Sequence, residues 1–408
     1  MKILFLTELT HAGGVDTFLV SLLSHWPHPD DKLLLYVNAG HPGLSVLRNA
    51  LIGRAIVEAH QLPTFVDWTL RRNARGHGFL RFLSPVLRLY FAFRNYSGFI
   101  RFYRKIRPER VVIVAGGYPG GDSCRVAAFA WSRVSGNYPK AFFNFHNLAV
   151  PIKFWQFVES RIDRLLVSAV HRFLCVSEAC AMSMQVRPAI WSICRPSFIL
   201  NGIAPPSTTV YDVDVREEFD LPSGCPLVAM LATYEPRKGH ALLLKAFVKV
   251  VEVIPRARLI VCGYGYPDEI QRVRRLSEEL GISHVVVFDG FRKDAHQILS
   301  KADVLAIPTQ AYESFGLVAA EAMSMGVPVV TTKIGGLSEV VENGDGGYLV
   351  SSTDEIEFAS RLIELLSDVK LRLMQGELGK ARYQRLFTAH RMAADYAELI
   401  RCEASFQR

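Results

Sequence analysis

The segment from Ala302 to Thr332, ADVLAIPTQAYESFGLVAAEAMSMGVPVVTT, constrains the fold more than any other part of the chain. Ala302 to Ile307 is a short apolar run closed by Pro308, and Val327 to Thr331 is β-branched and follows Gly326. Between them the pattern predicts a helix whose start signal is Ser314 and whose stop signal is Gly326. Such a βαβ unit aims the free N–H groups of Phe315, Gly316 and Leu317 out of the carboxyl edge of a parallel sheet, with the positive end of the helix dipole behind them. An anion site is expected there, with Gly316 kept small so that a phosphate can reach the backbone.

Two carboxylates flank this site. Glu313 stands just before the helix and Glu321 eight residues later, inside the apolar run Val318 to Met323. Neither favours a bare phosphate. An ionised carboxylate is a pure acceptor, however, and can hold two hydroxyls. The pair therefore fits a ligand with hydroxyls on both sides of its phosphates, as in a nucleotide sugar. The plainer alternative is a solvated loop glutamate and an ordinary helix glutamate. The apolar neighbours of Glu321 and the position of Glu313 beside the cap argue against it.

A length of 408 residues suggests two domains, and 50% hydrophobic with 21% charged residues allows each a proper core. The seven cysteines are scattered and mostly sit in apolar runs, so neither a disulfide framework nor a zinc site is indicated. The run Ile3 to Leu6 is too short for a signal peptide, and no transmembrane run is found. The net charge of +8 is unevenly shared. Residues 1–205 hold 24 Lys and Arg against 11 Asp and Glu, 24 − 11 = +13, and residues 206–408 hold 23 against 28, 23 − 28 = −5. A basic first half suits nucleic acid, an anionic membrane surface or an anionic substrate.

In chain order, Lys2 to Thr7 is a buried-type strand that opens into Gly13-Gly14 and a helix from Val15 to Ser24. No G-x-G-x-x-G is present. Leu33 to Asn38 and Ala55 to His60 are further strands. From Arg71 to Arg110, eleven basic residues face the single acid Glu109 and alternate with aromatics at helical spacing. This stretch reads either as a surface for the headgroups of an anionic bilayer or as a helix that buries its aromatics and solvates its arginines. No nucleic-acid-binding motif is recognised. Arg110 to Ala115 leads into the glycine-rich Gly116 to Gly121, and Ala141 to Phe145 ends in His146-Asn147. A Pro- and Ser/Thr-rich linker, Ala204 to Asp214, precedes the second domain. Asp212-Val213-Asp214 lies in that linker and is read as solvated, not metal-binding. Leu227 to Leu231 is followed by Thr233-Tyr234-Glu235-Pro236-Arg237-Lys238-Gly239, where Lys238 at a helix entrance can reach phosphates. Arg258 to Cys262 with Gly263, and Val285 to Phe288 with Gly290-Phe291-Arg292, continue the alternation.

Glu313-Ser314-Phe315-Gly316-Leu317 to Glu321-Ala322-Met323, with Gly326-Val327-Pro328-Val329-Val330 and Gly335-Gly336, closely resembles the signature of family 4 retaining glycosyltransferases of the GT-B fold. The likeness implies an α/β fold with two Rossmann-like, doubly wound parallel-sheet domains facing across a cleft. These would be an acceptor-side domain over 1–203, a nucleotide-sugar domain over 204–385, and a helix over 386–408 returning to the first. It implies that Glu313 faces the donor sugar, that Glu321 holds the ribose hydroxyls, and that Ser314 and the Phe315 to Leu317 amides bind the distal phosphate. By the same resemblance Gly13 and Gly14 close over the phosphates and His146 faces the reacting centre. Lys238 neutralises the diphosphate, Gly263 lines the donor cleft, and Phe291 and Arg292 lie where the backbone reads the base. The family's second cation, an arginine, falls on Thr233, a departure that Arg237 would have to offset.

These expectations describe a cytoplasmic enzyme, peripheral on the inner face of the plasma membrane. It would move a sugar from a nucleoside diphosphate sugar to a hydroxyl of a glycan or lipid-linked acceptor. The donor is a co-substrate, and no other cofactor and no metal is required. The alternative is a catalytically weak or inactive nucleotide-sugar-binding scaffold of the same fold, which rests on Thr233. A sugar-nucleotide epimerase and a glycan phosphorylase are disfavoured, the first by the two-glutamate signature and the second by the lack of a cofactor-lysine site.

Overall fold

Fourteen short strands, most of them apolar runs, form two parallel sheets in the computed structural model, which describes residues 1–9, 11–61, 84–152, 157–206 and 214–402. The chain divides into two units, Met1–Gly202 with Ala389–Arg408, and Ile203–Thr388. The first sheet contains β1 (Lys2–Thr7), β2 (Lys32–Asn38), β3 (Ala55–His60), β4 (Arg110–Ala115), β5 (Ala141–Phe145), β6 (Val170–Cys175) and β7 (Ser197–Phe198). Its order is β3-β2-β1-β4-β5-β6-β7. The second contains β8 (Leu227–Leu231), β9 (Arg258–Cys262), β10 (Val286–Asp289), β11 (Val304–Ile307), β12 (Val329–Thr332), β13 (Glu342–Asn343) and β14 (Gly346–Val350), in the order β10-β9-β8-β11-β12-β14-β13.

Both sheets are doubly wound, and each reverses its direction of winding at a central point. The reversal falls between β1 and β4 in the first unit and between β8 and β11 in the second. Open α/β sheets bind ligands at such a point, beyond the carboxyl ends of the strands, because the flanking loops diverge and leave a crevice. Central strands are covered on both faces, which is why β4 and β5 are buried throughout and read as near-continuous apolar runs, with Arg110 and Asn144 as their polar residues.

In the first unit the helix Ala389–Cys402 lays Met392, Tyr396 and Ile400 into the same core as Ile3, Phe5 and Leu35. The Tyr396 hydroxyl accepts a bond of 2.8 Å from Asn144 Nδ2, and the carbonyl of Ile400 accepts one of 3.0 Å from Arg110 Nε. Beneath the glycine-rich loop the buried Arg187 grips Asp163 through two bonds of 2.8 Å and reaches Glu159 at 2.9 Å. The Tyr118 hydroxyl donates to Asp163 at 2.5 Å, and burial beside that carboxylate raises the phenol's pKa. Every charge of the network has a partner, as burial demands.

The basic and aromatic stretch divides between its two readings. Arg71, Arg72, Arg75 and Arg81, with Phe79, Phe82 and Leu83, lie outside the described residues, as do Asp212 and Val213. From Ser84 to Ile106 the stretch is a helix. Its second half buries Phe99 and Tyr103, the latter edge-on to Trp131 at 5.3 Å. Its first half leaves Leu89 and Phe93 each 72% exposed beside exposed Arg88 and Arg94. Asp214 caps the helix Val215–Glu218 by accepting from the Arg216 amide at 2.9 Å.

Candidate active site

The helix of the Ala302 to Thr332 unit runs over Leu317–Ser324, with Gly316 rather than Ser314 at its N-cap. Gly316 has φ +98°, and a Cβ there would stand 2.6 Å from Leu337 Cδ2. Conformation, with the neighbouring leucine, thus favours glycine here, in addition to the phosphate approach expected of it. At the other end the Gly326 amide donates to Met323 O at 3.1 Å and the Val327 amide to Ala322 O at 2.9 Å, the paired bonds of a Schellman stop. The first amide of this helix to find an acceptor is that of Ala319, bonded to Gly316 O at 3.0 Å. The amides of Phe315, Gly316, Leu317 and Val318 have no acceptor among the described residues, so the helix entrance presents a cluster of donors.

Loops from the two central strands meet at this entrance. After β8 the chain runs through Thr233 to Lys238, and after β11 through Pro308 to Gly316. The first loop lies so close to the second that a Cβ on Gly239, at φ +78°, would come within 1.8 Å of Pro308 O. The Gln310 amide donates to Arg237 O at 2.7 Å. Lys238 Nζ then reaches Glu313 Oε2 at 2.6 Å, with both side chains largely buried. The backbone of Glu313 is fixed from behind, since its carbonyl accepts from the Gly336 amide at 2.9 Å. Thr332 Oγ1 donates to the Thr309 carbonyl. The buried Phe315 side chain stands edge-on to Phe387 at 5.7 Å.

Thr233 and Arg237 share one carboxylate that the sequence did not single out. Glu235 Oε1 accepts from Thr233 Oγ1 at 2.7 Å, and its Oε2 accepts from Arg237 Nε at 2.6 Å. The guanidinium lies 4.7 Å from the centroid of the Tyr312 ring. Glu235 and Tyr312 thus hold Arg237 beside the Lys238 and Glu313 pair. The spacing of Thr233, Glu235 and Arg237 at alternate positions was the available signal for this arrangement.

Glu321 lies on the helix itself. Protein packs around its carboxylate while part of its surface reaches solvent, and no side chain among the described residues pairs with it. Desolvation pushes its pKa up from 4.5 to about 7.

The remaining residues named from sequence divide. Gly263 sits where β9 ends, and a Cβ there would meet Ala232 O at 1.8 Å. Phe291 is 70% exposed on the loop after β10. The Arg292 side chain binds Asp294 at 2.9 Å, Glu218 at 2.5 Å and Asp289 at 3.4 Å, which leaves the role expected of its backbone untouched. Hydrogen bonds to Asp294 and Glu218 raise its pKa, and its charge is spent within the second unit.

Gly13, Gly14 and His146 belong to the first unit. The Gly13 amide donates to Asp16 Oδ2 at 3.0 Å at the start of the helix Gly14–Ser24. His146 follows β5, buried, with its ring 4.2 Å from that of Phe18. Asn144 Nδ2 already donates to Tyr396, so its Oδ1 faces His146 Nε2 at 2.5 Å and places the proton on that nitrogen. Burial lowers the imidazole pKa to about 3, so it is neutral at physiological pH. At the switch point of this unit, Glu8 Oε2 accepts from Ser123 N at 2.8 Å and Oγ at 2.5 Å, which joins the loops after β1 and β4.

Two Rossmann-like doubly wound units, with a cluster of open amides at the switch point of the second, give the chain the two-domain α/β architecture of the GT-B class. Residues 214–382 match the family described as glycosyl transferases group 1. The chain is 35% identical over 204 residues to the D-inositol 3-phosphate glycosyltransferase of Corynebacterium urealyticum, an alignment covering 48% of each. The chain thus spans about half the length of the curated relatives it matches. Its fold is similar to that of Anabaena HepE, solved in complex with UDP, with a TM-score of 0.71 at 20% identity over 98% of this chain and 99% of that one. It is also similar to a glycosyltransferase from Rickettsia africae, with a TM-score of 0.78 at 16% identity over 100% and 99%.

Proposed function

We propose that the chain is a retaining glycosyltransferase that moves a sugar from a nucleoside diphosphate sugar, of the UDP type, to a hydroxyl acceptor. The observation that carries this reading is the Lys238 and Glu313 pair, 2.6 Å apart, beside four amides at the helix entrance that have no acceptor among the described residues, with Glu321 on the same helix. The open amides bind the distal phosphate of the donor. Lys238 exchanges Glu313 for a phosphate oxygen, and Glu313, released from that pair, accepts hydroxyls of the sugar. As the bond from the sugar's anomeric carbon to phosphate oxygen breaks, the electron pair leaves with the diphosphate, whose growing charge the amides and Lys238 stabilise. The acceptor oxygen forms the new bond on the same face and passes its proton to the departing phosphate oxygen. Glu313 is a positioning group here rather than a nucleophile. His146, neutral and with Nε2 already engaged, acts as a hydrogen-bonding group rather than an acid. The reaction requires no metal. The support for a UDP donor is the nucleotide bound to the similar Anabaena protein.

Glu321 gives donor binding a characteristic pH dependence. Its folded-state pKa of about 7 lies above the ordinary 4.5, so the native state holds a proton that the unfolded chain has released in this window. Stability contributed by the neutral form is therefore lost as pH rises from about 4.5 to about 7. A ribose hydroxyl needs the ionised form, so donor affinity rises over the upper part of the same window. Thermal unfolding with UDP, GDP, ADP and their sugars, at about pH 5.5 and about pH 8, tests both signs. One nucleotide is expected to stabilise selectively, and more strongly at the higher pH. Without ligand the wild type is expected to lose stability towards high pH while Glu321→Gln does not. If no nucleotide shifts the transition at either pH, the donor reading is wrong.

A weakly active or inactive binder draws support from the neutralisation of Arg237 by Glu235 and of Lys238 by Glu313. Selective stabilisation by a nucleotide sugar, without its hydrolysis or transfer over long incubation, would favour that reading.

The acceptor is proposed to be a glycan or a lipid-linked molecule, reached at the inner face of the plasma membrane. Among the described residues no helix is long and apolar enough to cross a membrane. The exposed Leu89, Tyr90 and Phe93, among exposed Arg88 and Arg94, fit headgroup-level contact with anionic lipid. Flotation is expected with vesicles of anionic phospholipid and not with zwitterionic ones, and to fall severalfold in Leu89→Ser/Phe93→Ser. Equal recovery with both vesicle types would count against the surface.

A further inference from the structure

A cavity of about 590 Å³ opens in the second unit between the first turn of the helix His240–Val253 and the helix Pro267–Glu279. One wall is Pro236 and His240, from the loop that carries Lys238, and the opposite wall is the second helix. His240 is 4% exposed and its ring lies flat on Tyr234, with centroids 4.8 Å apart and planes 14° apart. One ring nitrogen bonds to the Glu235 backbone carbonyl, while Nε2 has no partner among the described residues. Burial, with Arg272 and Lys238 nearby, lowers the imidazole pKa to about 4, so the ring is neutral. The nitrogen facing the backbone carbonyl carries the proton, which leaves Nε2 a lone acceptor that requires a donor.

The rest of the lining narrows the ligand. Asp268 and Glu279 balance Arg272 and Arg275, so the cavity favours neither an anion nor a cation. Gln271 adds a neutral group with both donor and acceptor capacity, and Val273 and Leu276 supply an apolar floor. A neutral molecule with many hydroxyls and an apolar face satisfies all of these at once. Volumes of this order accommodate drug-sized ligands. Nε2 is itself closed from solvent. Admitting a hydroxyl to Nε2 requires a lining side chain to move, and Arg272, bonded to Glu269 of its own helix at 2.7 Å and mostly exposed, lines the same cavity.

We propose that this cavity is a second saccharide site, distinct from the donor site, that binds a neutral sugar or short oligosaccharide through His240, Asp268, Gln271 and Arg275. Its biological sense as a hold on a glycan rests on the glycosyltransferase reading, but its occupancy does not. Because Pro236 and His240 belong to the Lys238 loop, a bound sugar rigidifies the loop that engages the donor.

The test is saturation-transfer NMR on the full chain with glucose, galactose, mannose, N-acetylglucosamine and maltotriose, each with and without saturating UDP. At least one sugar is expected to bind with Kd in the range of about 1 mM and to keep its signal when UDP is present. Leu276→Trp, which fills the cavity from a half-buried position, and Gln271→Ala, on the exposed helix surface, are each expected to weaken it about tenfold or more. The absence of a signal from every sugar, displacement by UDP, or an unchanged signal in both variants would overturn the proposal. The UDP-induced thermal shift, followed on the same samples, reports the donor site separately, so failure of one reading is distinguishable from failure of the other.

Discussion

Lys238→Ala is expected to lower kcat about a hundredfold to a thousandfold, the size of effect seen when one preorganised donor is removed from a developing anion. The side chain sits 2.6 Å from Glu313 in a largely buried pair, so two consequences follow from its loss. The leaving diphosphate loses its point charge, and Glu313 remains as a partly buried carboxylate with no counter-charge, repelling the same diphosphate. The double variant Lys238→Ala/Glu313→Gln separates them. Removing the second charge is expected to recover nucleotide affinity, measured by calorimetry, without recovering kcat. A single variant that turns over at the wild-type rate would remove Lys238 from the mechanism.

Gly335→Ala is expected to unfold or displace the site from a position that touches no ligand. Gly335 has φ +52°, and its Cβ would stand 2.2 Å from the carbonyl oxygen of Glu313. Strain of about 1 to 3 kcal/mol adds to overpacking of similar size, because the obstacle is backbone and cannot rotate away. Gly344→Ala is the control. It has φ +80° and nothing within 4 Å, so it meets strain alone. Urea unfolding should place Gly335→Ala below Gly344→Ala by at least about 1 kcal/mol, with the nucleotide-induced shift lost only in the former. Equal destabilisation of the two would mean that the close approach to Glu313 does not matter.

Most of the framework could be read from the chain because parallel strands buried on both faces leave near-continuous apolar runs. Arg110–Ala115, Ala141–Phe145 and Leu227–Leu231 carry the boundaries expected of them. The start of the Leu317–Ser324 helix was placed at Ser314 because a serine is a strong cap, yet Gly316 takes the position through its left-handed backbone, which side-chain preference does not register. The roles of Glu235 and Tyr312 were hidden for a related reason. A carboxylate that clasps a threonine and an arginine, and a ring under a guanidinium, depend on how a loop folds back, and loops carry no periodicity. Arg292 was named by resemblance for its backbone alone, and the ion pairs of its side chain with Glu218, Asp289 and Asp294, the first of them far away in sequence, could not be read from its place in the chain. The helix Ser84–Ile106 shows the limit of composition, because one amphipathic pattern serves a buried half and an exposed half.

The path of the chain imposes an order on how the protein is made. The second unit is a single continuous segment, Ile203–Thr388, whereas the first is assembled from two pieces. The core beneath β1 and β2 lacks Met392, Tyr396 and Ile400 until the helix Ala389–Cys402 has been synthesised. A ribosome therefore delivers every strand of the first sheet long before it delivers the lid of that sheet's core. During this interval Phe5, Phe18 and Leu35 face an unfilled position, and a waiting apolar surface of this kind is what chaperones bind. The second unit has every strand of its sheet by Val350, so it can close while the first is still incomplete, and the domain begun first is finished last.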